Sequence, residues 1–160
     1  MNCETIVAQL DRLLPLAARW AETLEGRILR DGVPLLPEEL ADAKALGVGT
    51  PERVRLLCLA SVPTPDDVTL RAAAAAVQFL TPATRGLALR YGIFVRRDCW
   101  RERRLIAHEL AHTAQYERLG GIEPFLRQYL TECLTIGYPA APLEQDAIAA
   151  ATRLRLDEYA

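Results

Sequence analysis

The sequence predicts an α+β fold that is mostly helical, with a small sheet packed beside the helices. Several segments repeat apolar residues at the period of an amphipathic helix, whereas two shorter segments are apolar, partly β-branched and bounded by Pro or Gly. The chain has 160 residues, of which 51% are hydrophobic. This is enough for one compact domain with its own core, so we expect residues 1–160 to form a single domain.

The predicted helices are separated by Gly and Pro. The first covers residues 4–25, with Pro15 either kinking or dividing it and Gly26 ending it. Pro37 suits the first turn of a short helix that runs through Ala45. The other predicted helices are one that follows Asp66 and Asp67 and reaches Leu80, one within 98–119 with Asp98 as its cap, one over 123–136 and one over 142–157.

Two segments are predicted to be strands. Residues 52–60 are apolar and lie between Pro51 and Pro63, which indicates a buried strand. Residues 87–96 read as one bent strand or two short ones, with Gly92 at the turn or bulge.

The most informative segment is the predicted helix that contains His108-Glu109-Leu110-Ala111-His112. Histidines four residues apart project from the same helix face, so both imidazoles can reach one ion. Glu109 lies beside the first histidine and can act on a water at the metal without occupying a coordination position. This HExxH arrangement predicts a zinc site with Glu109 as the general base. His108 and His112 are also the only 2 histidines in the chain, which makes a chance occurrence of the pattern improbable.

A catalytic zinc ion usually has three protein ligands, so two histidines leave the site incomplete. Because the chain has no further histidine, the third ligand is expected to be a carboxylate from a later helix. The segment 142–147 offers two, Glu144 and Asp146.

The pieces HELAHTAQYERLGG, FLRQYL and GYPAAPLEQDA together resemble the HExxH zinc metallopeptidases whose third ligand is a downstream Glu, the gluzincin branch of the zincin-like fold. Within that branch they look like a small bacterial family. The resemblance implies a minimal zincin-like fold and Glu144 as third ligand, since Ala147 stands three residues later as in related zincins. The chain departs from many zincins at Ile148, where they carry an Asp that orients a histidine.

The resemblance also implies how a substrate is held. In zincins a strand that precedes the motif helix forms the rim of the cleft and pairs with an extended peptide. The candidate strand is Gly92-Ile93-Phe94-Val95, which would bind the peptide by backbone hydrogen bonds. An ordinary strand inside a sheet is the alternative for this segment.

Three functions are consistent with these residues. The first is a zinc peptidase that cuts a peptide or protein substrate, with His108, His112 and Glu144 as ligands, Glu109 as base, and Tyr138 or Tyr116 as an oxyanion donor. The second is a zinc-stabilised, catalytically degenerate domain that binds a protein partner. The third is a helical interaction domain without a metal.

Composition excludes several other classes. The net charge is −2 with a pI near 5.7, which gives no indication of nucleic-acid binding. No apolar run is long enough to span a bilayer and the first residues lack a basic segment, so we expect a cytoplasmic protein. We read the arginines of residues 96–104 mainly as a solvated face. The cysteines are widely spaced and predict buried free thiols: Cys3, Cys58, Cys99 and Cys133.

Overall fold

The computed structural model describes residues 3–156, except for the side chains of residues 3, 4, 6, 7, 155 and 156. This part of the chain is α+β and mostly helical, as the sequence predicts. Its elements in order are α1 Cys3–Asp31, β1 Val33–Pro34, α2 Pro37–Ala45, β2 Arg55–Leu59, α3 Val68–Ala76, β3 Gly86–Leu89, β4 Gly92–Arg96, α4 Arg103–Leu119, α5 Ile122–Thr135 and α6 Pro142–Leu156.

The four strands form one mixed sheet in the order β1-β2-β4-β3. β2 and β4 run parallel, whereas β1 and β3 pair antiparallel with their neighbours. β4 is therefore hydrogen bonded on both sides, and Ile93, Phe94 and Val95 are fully buried. Because no backbone edge of β4 is free, the expectation that Gly92–Val95 pairs with a substrate is wrong. The strand with an open edge next to the motif helix is β3.

The turn between β3 and β4 lies at Arg90 and Tyr91, and Gly92 is already the first residue of β4. The prediction that Gly92 forms the turn or bulge is thus wrong, because Gly92 directly follows the turn. Arg90 adopts the left-handed conformation with φ +58°. The reason for a glycine at 92 is the close approach of α1, since an added Cβ would lie 3.1 Å from Ile28 Cβ and 3.3 Å from Glu25 Cα.

Helix α1 is longer than the sequence predicts, because it continues through Pro15 and Gly26 to Asp31. A glycine inside a helix costs about 1 kcal/mol relative to alanine. Contacts made by the residues on either side of Gly26 outweigh this cost. Ile28 is fully buried, and the carboxylate of Glu25 accepts hydrogen bonds of 2.9 and 3.0 Å from Arg90.

The motif helix α4 begins at Arg103, not near Asp98. A 3-10 turn over Arg97–Cys99 precedes it, and Asp98 pairs with Arg96 at 2.6 Å instead of capping the helix. The end of α4 agrees with the prediction, since Gly120 closes it in the left-handed conformation with φ 101°.

The arginines near α4 are not simply solvated. Arg101 pairs with the buried carboxylate of Glu39, and Arg103 makes two 2.7 Å hydrogen bonds to the buried carboxylate of Asp42. Both acids lie on α2, so these pairs hold α2 against the start of α4.

Smaller differences concern β2, α3 and the last helix. A 3-10 turn over Pro51–Arg53 replaces the first part of the predicted strand, and Leu56 is the only buried residue of β2. Helix α3 ends at Ala76, before the predicted Leu80. The last predicted helix position, Asp157, lies outside the described residues.

A single hydrophobic cluster joins the sheet to α1, α3, α4 and α5. Cys58, Cys99 and Cys133 are free thiols, and the last two are buried as predicted; the side chain of Cys3 lies outside the description. Within residues 3–156, none of the helices has both the length and the apolar character needed to cross a bilayer.

Candidate metal centre

Two turns of α4 and the first turn of α6 bring the predicted ligands together. His108 Nε2 lies 3.1 Å from His112 Nε2 and 3.1 Å from Glu144 Oε1. His112 Nε2 lies 3.2 Å from Glu144 Oε2. Among the residues that the structure describes, this is the one group of three or more His, Cys, Asp or Glu side chains whose donor atoms converge in this way.

The spacing of these atoms suits a small cation. A tetrahedral zinc site with bonds of roughly 2.0–2.1 Å separates its ligand atoms by roughly 3.3 Å. The two Nε2 atoms are 3.1 Å apart, and each lies 3.1–3.2 Å from one of the two Glu144 oxygens, which is close to that separation before any ion is considered. His112 and Glu144 are buried, with 7% and 3% exposure, so the convergence is built into the packed interior.

Glu144 is held by the way α6 packs on α4 and α5. The backbone N–H of Leu143 donates to the Glu132 carboxylate at 2.8 Å, and the Leu143 carbonyl accepts from Gln115 at 2.8 Å. Ala147, one turn beyond Glu144, is fully buried. The other candidate ligand, Asp146, is exposed and does not belong to the group of converging donor atoms, so Glu144 is the carboxylate that meets the histidines.

Aromatic and polar side chains surround His112. Its Nδ1 lies 2.8 Å from Gln115 Oε1, and its ring packs edge-on against Phe125 and Tyr129. The Tyr129 hydroxyl donates to Glu144 Oε2 at 3.1 Å. The second histidine and the carboxylate therefore each have a fixed orientation.

The three ligand side chains are coupled electrostatically. Burial alone would raise the pKa of Glu144, but hydrogen bonds and positive charge from His108 and His112 hold the pKa of that carboxyl well below its usual range. Burial alone would lower the pKa of His108; the hydrogen bond to Glu144 and the nearby charge of Glu109 outweigh it and raise that pKa. The Glu144 carboxylate is thus a negative charge held between two imidazoles, where it attracts a proton or a cation.

Glu109 lies beside this group and is 5% exposed. Burial, the largest influence, raises the pKa of its carboxyl, which also accepts a hydrogen bond from the backbone N–H of Ala88 on β3. Gly86 faces the same carboxylate: a Cβ added there would lie 2.7 Å from Glu109 Oε1. Glu109 therefore occupies the space between α4 and the edge strand.

A cleft of about 280 Å³ opens onto the site between β3, α4 and α5. Its lining includes Glu109, His112, Glu144 and Tyr138. Tyr138 is 45% exposed and keeps its place as a candidate oxyanion donor. Tyr116 does not, because it is fully buried and its hydroxyl donates to the Ala88 carbonyl at 3.0 Å.

Sequence reasoning missed three residues of the site. Tyr129 lies within the predicted helix over 123–136, and Gly86 lies just before the predicted strand. Gln115 lies on the predicted motif helix, three residues after His112. A polar amide among the buried positions of the motif helix was the available signal for Gln115, whereas nothing in the sequence pairs Gly86 with Glu109.

Comparison with protein families, with curated proteins and with solved structures found no match to this chain. We therefore infer the function of the protein from the geometry of the site.

Proposed function

We propose that this chain is a zinc-dependent peptide hydrolase with a minimal zincin-like fold. The observation that carries the proposal is the convergence of His108, His112 and Glu144, whose donor atoms are 3.1–3.2 Å apart. Two imidazole nitrogens and one carboxylate form a ligand set typical of catalytic zinc, which keeps a further position for water or substrate. Mg²⁺ and Ca²⁺ prefer sites made of oxygen ligands, so the histidines favour zinc.

When bound, zinc would supply a Lewis acid that activates water and polarises the scissile carbonyl. Glu109 supplies the proton transfer: its carboxylate takes a proton from the attacking water and delivers it to the leaving amine. Burial supports this role because it raises the pKa of Glu109, which is the direction expected for a general base. The carboxylate of Glu109 does not belong to the group whose donor atoms converge. It is therefore available to act as the general base.

The edge of β3 at Gly86 supports peptide binding next to Glu109, since the N–H and C=O of Ala88 already bind Glu109 and Tyr116. Arg96 N donates to Arg85 O, and residues of an antiparallel pair alternate between bonded and non-bonded positions. With Gly86 opposite Val95, the N–H and C=O of Gly86 point away from β4 toward the cleft. A substrate that adds a strand here has its carbonyl beside Glu109. β3 thus replaces β4 in the proposed substrate interaction, and Tyr138 at the cleft rim is the proposed donor to the oxyanion.

The test separates metal binding from catalysis. We expect one zinc per chain by elemental analysis of protein purified without a His tag, and peptide cleavage in a broad peptide library. Glu109→Gln keeps the size of the side chain but removes the base, so zinc content stays the same while cleavage falls by about 10² or more. Glu38→Gln is the control, because Glu38 is exposed on α2 and remote from the cleft.

The outcomes discriminate among the functions. Zinc binding with no cleavage, or cleavage unaffected by Glu109→Gln, contradicts catalysis and favours a zinc-stabilised protein-binding domain. Absence of zinc binding after zinc is supplied contradicts both metal functions.

A further inference from the structure

The side chain of Gln115 links the proposed ligand His112 to Leu143, the residue before the proposed ligand Glu144. Its Oε1 lies 2.8 Å from His112 Nδ1, and its Nε2 donates to the Leu143 carbonyl at 2.8 Å. Gln115 is 3% exposed. Leu143 immediately precedes Glu144, so one buried amide spans from the second histidine on α4 to the ligand-bearing turn of α6.

The chemistry of the partners fixes which way the amide points. A backbone carbonyl accepts hydrogen bonds but cannot donate them, so the NH₂ group of Gln115 must face Leu143. The amide oxygen then faces His112, and an amide oxygen can only accept. His112 must therefore carry a proton on Nδ1, which leaves Nε2, the nitrogen that faces His108 and Glu144, to bind a metal.

We infer that Gln115 is the positioning residue of this site: it holds the proton of His112 on Nδ1 and fixes the Glu144 turn relative to it. The inference rests on the proposed zinc site. Metal-bound histidines generally donate their other ring N–H to an oxygen acceptor that fixes tautomer and orientation. Ile148 has no polar side-chain atom for this role, and Gln115 takes it from a different element.

Two neighbouring contacts strengthen the effect of the amide. Glu132 accepts the Leu143 N–H at 2.8 Å, and Tyr129 donates to Glu144. α6 is thus held at Leu143 N by α5 and at Leu143 O by α4. Removal of Gln115 leaves the α5 contact in place, so α6 stays docked while the His112 ring loses its acceptor.

The experiment uses the full chain with ¹⁵N-labelled histidine. Long-range ¹H–¹⁵N spectra report the protonated nitrogen of His112 in metal-free and zinc-supplied protein, and chelator competition reports zinc affinity. In wild type we expect a proton on Nδ1 in both states. Gln115→Leu removes the acceptor, and Glu144 Oε2 becomes the remaining acceptor near the ring, so the neutral ring shifts to the Nε2–H tautomer. Zinc affinity falls about 10–100-fold.

Two further variants make the test specific. Gln115→Glu keeps an oxygen acceptor for Nδ1–H but loses the donor to the Leu143 carbonyl, so it should keep the wild-type tautomer while zinc affinity falls. Gln145→Leu is the matched control, since Gln145 is exposed, adjoins Glu144 and donates to a backbone carbonyl, Pro139 O, at 2.8 Å; it should leave tautomer and affinity unchanged. If Gln115→Leu does not fold, wild type and Gln115→Glu still decide the assignment.

A wild-type His112 without a proton on Nδ1 overturns the inference, as does a Gln115→Leu variant with unchanged tautomer and zinc affinity. The spectra of the metal-free protein do not depend on zinc. A chain that binds no zinc but has the expected tautomers therefore counts against the proposed function and leaves the role of Gln115 in orienting His112 supported.

Discussion

At the scale of single residues, Gly86 and Glu109 are fitted to each other. The edge strand can lie against the Glu109 carboxylate because residue 86 has no side chain. The Ala88 N–H holds the same carboxylate in place. The proposed base is therefore positioned by backbone atoms of β3, the strand to which we assign the substrate, so the two roles depend on one short piece of chain.

Gly86→Ala tests this fit. The new methyl would lie 2.7 Å from Glu109 Oε1 and 3.1 Å from Cδ and Cγ of the same residue, so the carboxylate must move. We expect peptide cleavage to fall about 10²-fold, since small misplacements of a catalytic group are costly, while zinc affinity stays within a few-fold of wild type. Cleavage kinetics and chelator competition measure the two quantities.

The control is Gly26→Ala, where an added Cβ meets nothing within 4 Å. Alanine should stabilise this interior position of α1 by about 0.5–1 kcal/mol and leave cleavage unchanged. If Gly86→Ala cleaves peptide as fast as wild type, the role assigned to β3 in positioning Glu109 is contradicted.

At the scale of elements, helices with a strong period and clear end signals were predictable, and those that depend on distant partners were not. Gly120 ends α4 as expected because its left-handed conformation is a local property. Gly26 does not end α1, because Ile28 and Glu25 are held by the β3–β4 hairpin, far away in sequence.

The strands show the same division. Both predicted strand segments form strands, but whether a strand is internal or at an edge is a property of the whole sheet. Residues 92–95 are continuously apolar because they are covered on both faces. This pattern favours the ordinary strand inside a sheet, which is the alternative that the sequence left open for this segment.

The far end of α4 is attached to the Gly49–Thr50 loop by Glu117. Its carboxylate accepts from Gly49 N at 2.7 Å, Tyr91 OH at 2.8 Å and Thr50 Oγ1 at 3.2 Å. Partial burial would raise the pKa of Glu117, but these hydrogen bonds outweigh it and lower the pKa. An acid near a helix C-terminus is unfavourable with the helix dipole, so the loop contacts account for its position.

Glu117→Gln should lower the free energy of unfolding by about 1–2 kcal/mol near pH 7, where hydrogen bonds to the charged carboxylate are intact. Because the folded pKa is lowered, this stability is present above the unfolded pKa of about 4.3 and is lost as pH falls through the folded pKa. Urea unfolding at neutral pH and below about pH 4 should therefore show the difference shrinking in acid. Glu22→Gln, exposed in the middle of α1, should change stability by less than about 0.5 kcal/mol at either pH. A pH-independent loss in Glu117→Gln would contradict the assignment.

At the scale of the whole molecule, the site depends on how α6 returns to α4. The two histidines were predictable because helical geometry alone places them on one face. From the residues alone, the third ligand could be predicted only as a carboxylate of the last helix. The resemblance to zinc peptidases then selected Glu144. Its place beside the histidines follows from packing by α5 and by Gln115, which no local pattern specifies.

Zinc should therefore stabilise the fold by linking α4 to α6. A ligand that binds only the native state adds about 4 kcal/mol to the free energy of unfolding at a free concentration of about 1,000 Kd, which raises Tm by about 10 °C for a chain of this size.

Glu144→Ala removes one of the three proposed metal ligands, so zinc should give little or no increase in the Tm of this variant. Asp146→Ala should keep the full increase, because Asp146 is exposed and its carboxylate is not among the donor atoms that converge with the histidines. Thermal unfolding with zinc and with a chelator measures all three proteins. If zinc raises Tm equally in Glu144→Ala and wild type but not in Asp146→Ala, the third ligand is Asp146 and α6 must dock differently from the arrangement described above.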